Sequence, residues 1–167
     1  MIKTNLNKAT GNSFELIFPK VPVRSRVSDS ESFTMNIHGT VIPSISMNTV
    51  DMNWQGGIVS MATAPITFET WFVNFAVDSN FDNWFIMYDW LTLMSNNKTH
   101  YDHLRNEYWV DAALKLRDNN DNIIADIVFI NLFPTLLNEV ALSYRDGYAN
   151  LESGVNFNYT RYEAKKL

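Results

Sequence analysis

The sequence predicts an α+β domain dominated by sheet, a sandwich or small barrel flanked by a single helix. Three observations carry that reading. Most apolar segments are short and alternate with polar residues, as strands with one wet face do. The stretch Pro65 to Leu93 (PITFETWFVNFAVDSNFDNWFIMYDWLTL) changes its apolar period from two to about 3.6. The whole chain has 167 residues, 46% of them hydrophobic, and no internal repeat. That fits one domain able to bury roughly two-thirds of its unfolded surface.

Residues 1–12 are polar and read as an N-terminal arm; residues 13–163 form the domain and 164–167 a C-terminal tail. Phe14, Leu16 and Phe18 alternate with Ser13, Glu15 and Ile17, a first strand stopped by Pro19 and Pro22. Arg24 to Ser30 is a polar loop. Phe33, Met35 and Ile37 then alternate with Ser32, Thr34, Asn36 and His38 as a strand with one wet face. Val41 to Ala64 is less regular and holds Pro43, Met47, Met52, Trp54 and the pair Gly56-Gly57. It reads either as two short strands folded back at Gln55-Gly56-Gly57, or as a hairpin that leaves the domain and docks on another subunit.

Ile66 to Val77 is apolar, β-branched and aromatic, so it is predicted to be one long strand. After a turn at Asp78-Ser79-Asn80 the spacing places Phe81, Trp84, Phe85, Tyr88 and Leu91 on one helical face, with Ser79 or Asn80 as cap. Ser95 to Asn106 is hydrophilic. Tyr108 to Leu116 and Ile123 to Ile130 are strand-like, joined by the turn-rich Arg117 to Asn122. Leu132-Phe133-Pro134-Thr135 is predicted to break the second of these strands. Glu139 to Tyr144 reads as a short strand before an Asp146-Gly147 turn, and Val155, Phe157 and Tyr159 mark the closing strand. The expected core includes Phe68, Trp71, Phe72, Trp84, Tyr88, Phe133 and Pro134.

Composition excludes several classes of function. With no cysteine there is no disulfide, no thiolate zinc site and no thiol nucleophile, as suits a reducing cytoplasm. No apolar run approaches the ~20 residues of a membrane helix, and no membrane insertion is expected. The opening MIKTNLNKATGNS lacks an apolar export core, so that route is not expected either. Net charge is −5, and no Lys/Arg cluster forms a stripe that could track phosphates.

Chemical motifs are weak. His100 and His103 flank Asp102 at a spacing a metal could use, but in a polar loop without a further ligand pair. Asp118, Asn120 and Asn122 copy the opening of a calcium loop, yet Ile123 and Phe129 stand where Gly and a bidentate Glu are required. Glu69, Asp78, Asp82 and Asp89 offer carboxylates without a defined pair, and Asp78 and Asp82 have a sufficient role at a helix N-terminus. No phosphate loop, G-x-S-x-G elbow or H-E-x-x-H is present. No catalysis, cofactor or metal is expected.

Five blocks in order resemble the contractile-tail tube proteins of myovirus phages and related injection machines. They are SFELIFP; FTMNIHGTVIPSIS; a Trp-Gln-Gly-Gly turn leading into APITFETWFVNFAVDS; the helix FDNWFIMYDWL; and IADIVFINLFPTLLNEVALSY with VNFNYTRYE. The resemblance runs from about Ser13 to Glu163 and has no counterpart for Ser95 to Tyr108. It implies a virion protein, assembled in the host cytoplasm, that forms six-subunit rings stacked head to tail as the inner tube for genome ejection. It also implies a tail sheath, a baseplate hub and a tail terminator as partners. A ring at one end of the tube, or the tube of an injection system, is the alternative within the family. Segments expected to reach neighbouring subunits are the arm, the loop with Met52, Trp54, Gln55, Gly56, Gly57 and Met61, and the end of the chain with Arg161 and Tyr162. Ser32, Thr34, Asn36 and His38 are candidates for the channel wall. The reading from another class is a carbohydrate-binding sandwich, with Trp54, Trp71 or Trp109 as sugar platforms.

Overall fold

The computed structural model describes residues 14–20, 33–35, 37–95, 108–143 and 150–167. The arm 1–12, the loop Arg24 to Ser30, most of the hydrophilic segment with His100 and His103, and the Asp146-Gly147 turn lie outside them. The elements are β1 (Phe14–Phe18), β2 (Phe33–Met35), β3 (Ile37–Thr40), β4 (Ile45–Trp54), β5 (Gly57–Phe68), β6 (Trp71–Ala76), α1 (Asp82–Ser95), β7 (Val110–Arg117), β8 (Ile123–Leu137), β9 (Glu152–Asn158) and β10 (Arg161–Lys166).

Antiparallel pairing runs in the order β2-β1-β7-β8-β9-β6-β3, with β10 also on β8. The two ends of this path, β2 and β3, are consecutive in sequence and separated by one residue, Asn36. The sheet therefore rolls round until its ends meet, giving a barrel-like sandwich. Alternation decides what it encloses. Trp71, Val73 and Phe75 on β6 and Val155 and Phe157 on β9 are fully buried, while Phe72, Asn74 and Asn156 between them are not. The Trp71 ring stacks on Phe129 with centroids 3.9 Å apart, and Phe157 touches Phe18, Trp71 and Trp90. Both buried indoles find acceptors: Trp71 donates to Thr40 Oγ1 (2.8 Å) and Trp90 to the Tyr108 carbonyl (2.9 Å).

Strand β8 passes straight through the predicted break. Its first part pairs with β7 and β10, and Phe133 to Leu137 pair with β9. The change of partner is managed at Asn131, which has φ 57°, a left-handed conformation that Asn tolerates. Its N–H donates to Asp111 Oδ1 (3.0 Å) and its side-chain amide to Thr160 Oγ1 (3.1 Å). Pro134 sits buried next to a register shift, where its missing N–H leaves the ladder intact. Glu139 to Ser143 forms no strand, and the residues assigned to a tail are part of β10, which continues to Lys166. The apolar run Ile66 to Val77 is divided at Glu69-Thr70, so Ile66 to Phe68 belong to β5.

The helix is present, but its register differs from the expected one. Asn83, Ile86, Met87 and Trp90 are buried, whereas Phe85 and Tyr88 are 36% and 46% exposed and Trp84 is half-buried. Nine of its fourteen residues are apolar or aromatic and they are spread round the helix, so two stripes with helical spacing compete and periodicity cannot choose between them. Asn83 chooses. Its Nδ2 donates to the Ala76 carbonyl (2.7 Å) and its Oδ1 accepts the Asp78 N–H (3.2 Å), which pins the first turn to the end of β6. Neither Ser79 nor Asn80 occupies the cap. Phe81, at φ 62°, precedes the helix and its carbonyl accepts the Phe85 N–H. Of the expected core, Trp71 and Pro134 are buried, Phe68, Phe72, Trp84 and Phe133 are half-buried, and Tyr88 is exposed.

Replacing Trp90 by Ala is expected to cost about 3–5 kcal/mol, and replacing Tyr88 by Ala less than about 1 kcal/mol. Urea titration of both variants checks the register.

Candidate assembly interface

Strands β4 and β5 pair with each other alone, as a two-stranded ribbon apart from the main sheet. Ten residues at about 3.3 Å each carry the ribbon roughly 30 Å. Its turn is Gln55-Gly56, with φ 47° and 81°, the two positive values a tight hairpin of this twist requires. Gly57 belongs to β5.

Cross-strand partners share a face, so the register sorts the side chains. At the base, Ile45 faces Phe68 and Met47 faces Ile66. The pairing then shifts between Met47 and Thr49, and Thr63 Oγ1 closes the break on the Asn48 carbonyl (2.7 Å). Beyond it the apolar pairs are Val50 with Met61 and Met52 with Val59, and Trp54 faces Gly57. Thr49, Asp51, Asn53 and Ser60 take the other face, where Ser60 Oγ donates to Asp51. One face of the tip is thus apolar, with Val50, Met52, Val59 and Met61 about half exposed and Trp54 65% exposed, while Ile58, opposite Asn53, adds an exposed apolar side chain to the other face. From Ile45 to Phe68 the sole charged residue is Asp51. Exposed strands normally carry lysines or other charges that prevent edge pairing, and this ribbon carries almost none.

Among the described residues, contacts to the domain are made at the ribbon's base. Phe68 packs against Tyr159 and Tyr162, with centroids 6.1 and 5.4 Å away. Tyr162 OH donates to the Pro43 carbonyl (3.0 Å), Tyr159 OH to the Glu69 carbonyl (2.7 Å), and the Glu69 N–H to the Ser44 carbonyl (3.3 Å). Burial, with Tyr162 and the Glu69 carboxylate adding, pushes the Tyr159 phenol up to about 12.

The sequence-derived interface residues therefore divide. Met52, Trp54, Gln55, Gly56, Gly57 and Met61 are brought together at the projecting tip, and Arg161 is exposed beside Glu163. Tyr162 is half-buried and holds the ribbon's base. Sequence reasoning passed over Val50 and Val59, although both alternate in phase with Met52, Trp54 and Met61. It also passed over a groove, about 490 Å³, between α1 and the end of β8, lined by Trp84, Tyr88, Leu91, Leu136 and Leu137. Among the channel-wall candidates, His38 is the one whose side chain is described; its Nε2 lies 3.4 Å from the Glu152 carboxylate. Asp118 accepts the backbone N–H groups of Asn120 and Asn122, which makes that segment a hairpin turn and holds its carboxyl below the usual carboxylate range. Trp71, fully buried, cannot be a sugar platform. Among the described residues no cluster of His, Asp or Glu could hold a metal, and no helix is long and apolar enough to cross a membrane.

Among the described residues the domain is a rolled sheet with a flanking helix and a projecting ribbon whose sole charged residue is Asp51. Residues 9–165 match the phage tail tube protein family, and the chain belongs to that family. Solved structures share the fold. A chain of the anti-feeding prophage tube-terminating cap has 11% identity and a TM-score of 0.66 over 100% of this chain and 97% of its own. A chain of the sheath–tube complex of an extracellular contractile injection system has 11% identity and a TM-score of 0.66, over 97% of this chain and 94% of its own. One from the sheath/tube terminator of that system reaches 0.67 at 12% identity, over 95% and 97%. No curated protein matches.

Two outcomes follow from the ribbon's base. Tyr159 ionises near 10 in an unfolded chain and about 12 in the fold, so its contribution is complete below pH 10 and is lost as pH rises through 12. An ultraviolet tyrosinate titration should show a late phenol that is absent in Tyr159→Phe. Replacing Asn53 to Met61 by a short turn should leave the folding free energy within about 1 kcal/mol of the parent, measured by urea titration.

Proposed function

We propose that this chain is the structural subunit of the inner tube of a contractile tail, building six-subunit rings that stack head to tail into a conduit for genome ejection. The observation that carries the reading is the projecting apolar ribbon on a domain of the tail tube family. The ribbon leaves one face of a subunit for a different surface of its neighbour, a heterologous contact that propagates into an open filament. Among the described residues β2, β3 and β10 each pair on one side alone, which provides edges for lateral pairing within a ring. The role is one of assembly, without catalysis or cofactor. The partners are other copies, a tail sheath, a baseplate hub and a tail terminator, and the location is the virion tail after assembly in the host cytoplasm.

A specialised ring at the tube's end is the second reading, because cap and terminator chains match this fold as well as a sheath–tube chain does. Negative-stain images separate the outcomes. Long striated tubes support the bulk tube, isolated rings support the end piece, and persistent monomer at high concentration with tail components present overturns both.

Charge gives a further test. At −5 per subunit, repeated around each ring, the wall would not gain affinity by releasing counterions from DNA. Assembled tubes should bind duplex DNA more weakly than about 10⁻⁴ M at physiological salt, by titration across a salt series. Tight binding that falls steeply with salt would instead indicate a DNA-retaining connector.

A further inference from the structure

We propose that the groove between α1 and the end of β8 is the seat for the ribbon tip of a second copy of this chain, with Trp54 as the inserted anchor. The inference rests on the tube-subunit reading and names the two surfaces that meet.

Chemistry on both sides supports the match. The groove walls are Trp84, Tyr88 and Leu91 from the helix and Leu136 and Leu137 from β8, with no charged side chain among the lining residues. Leu136 is 50% exposed. Its volume, about 490 Å³, is of the size that accepts an indole with a neighbouring thioether. The tip presents Trp54, 65% exposed, flanked by Met52 and Val59, and has no lysine or arginine. Bringing these surfaces together removes apolar area from water and strips no charge of its solvent.

The tip of the same chain is exposed, so it does not fill its own groove. A patch of five half-exposed large apolar side chains is of the size that marks an interaction surface. Tip-to-tip pairing would satisfy the ribbon but leave the groove uncovered. Tip-to-groove pairing covers both, and because the surfaces differ it continues from copy to copy.

The chain has no cysteine, which makes crosslinking clean. Gly57 faces Trp54, and a side chain added there meets no atom closer than 3.7 Å. Gly57→Cys should be combined in turn with Thr92→Cys, Ser95→Cys and Leu136→Cys, and the protein assembled and oxidised. At least one pair should yield an interchain ladder on a non-reducing gel, since a disulfide needs Cα atoms within about 7 Å. Each single-cysteine variant should give none. Leu136→Asp, at an exposed position, should keep the parent's melting temperature and lower the yield of tubes about tenfold or more. Parent tubes that form normally while all three pairs stay uncrosslinked, or while Leu136→Asp assembles like the parent, would overturn the groove and leave the tube reading standing. If the parent itself forms neither rings nor tubes with its partners, the tube reading fails and the groove proposal falls with it.

Discussion

Strand β8 is the constraint on which the rest of the domain depends. Fifteen residues long, it is hydrogen-bonded to β7, β9 and β10, and no other strand has three partners. For one strand to serve both halves of the roll, its neighbours on one side must change without orphaning backbone groups. Asn131 absorbs the bend, Asp111 and Thr160 take its hydrogen bonds, and the Thr160 N–H returns one to the Ile130 carbonyl (3.0 Å). The gap between β9 and β10 falls opposite this point, so the bend of one strand and the break of the other are a single feature.

The aromatic core is organised by that strand. Phe129 lies just before the bend, stacked on Trp71 and in contact with Tyr159 and Tyr162. Through those two tyrosines the packing reaches Phe68 and the foot of the ribbon, which therefore emerges from the core and not from a loose surface loop. Its direction is thus held by the domain, and in the proposed tube a pre-held ribbon would lose less entropy on docking.

The ribbon and the groove break the ordinary rule that a soluble domain guards its exposed strands with charge. Elsewhere the rule is kept: β10 carries Arg161, Glu163, Lys165 and Lys166, and Arg117 pairs with Glu15 and Asp121 near the turn after β7. Charge is nearly absent from the ribbon, where Asp51 stands alone between Ile45 and Phe68. In the proposed tube, the exposed Met and Trp that would be a liability in a monomer would form the contact surface.

By itself the sequence determined the class of fold, the alternating strands β1 and β9, an apolar strand in the region of β6, the existence of the helix, and the hairpin turn after Trp54. Each of these is local: period two, period 3.6, or a turn that needs glycine. Its ordered blocks were also enough to place the chain among tail tube proteins. Tertiary structure alone decided which helical face is buried, because the apolar residues of α1 are spread round it and a single asparagine side chain, Asn83, sets its rotation. It decided that Pro134 bends a strand without ending it, since the partner change that accommodates the proline lies on β9 and β10, far along the chain. It decided too that Tyr162 supports the ribbon's foot and that Leu136 and Leu137 meet the helix in a groove. Those are contacts between residues distant in sequence, and local periodicity carries no information about which distant surfaces will meet.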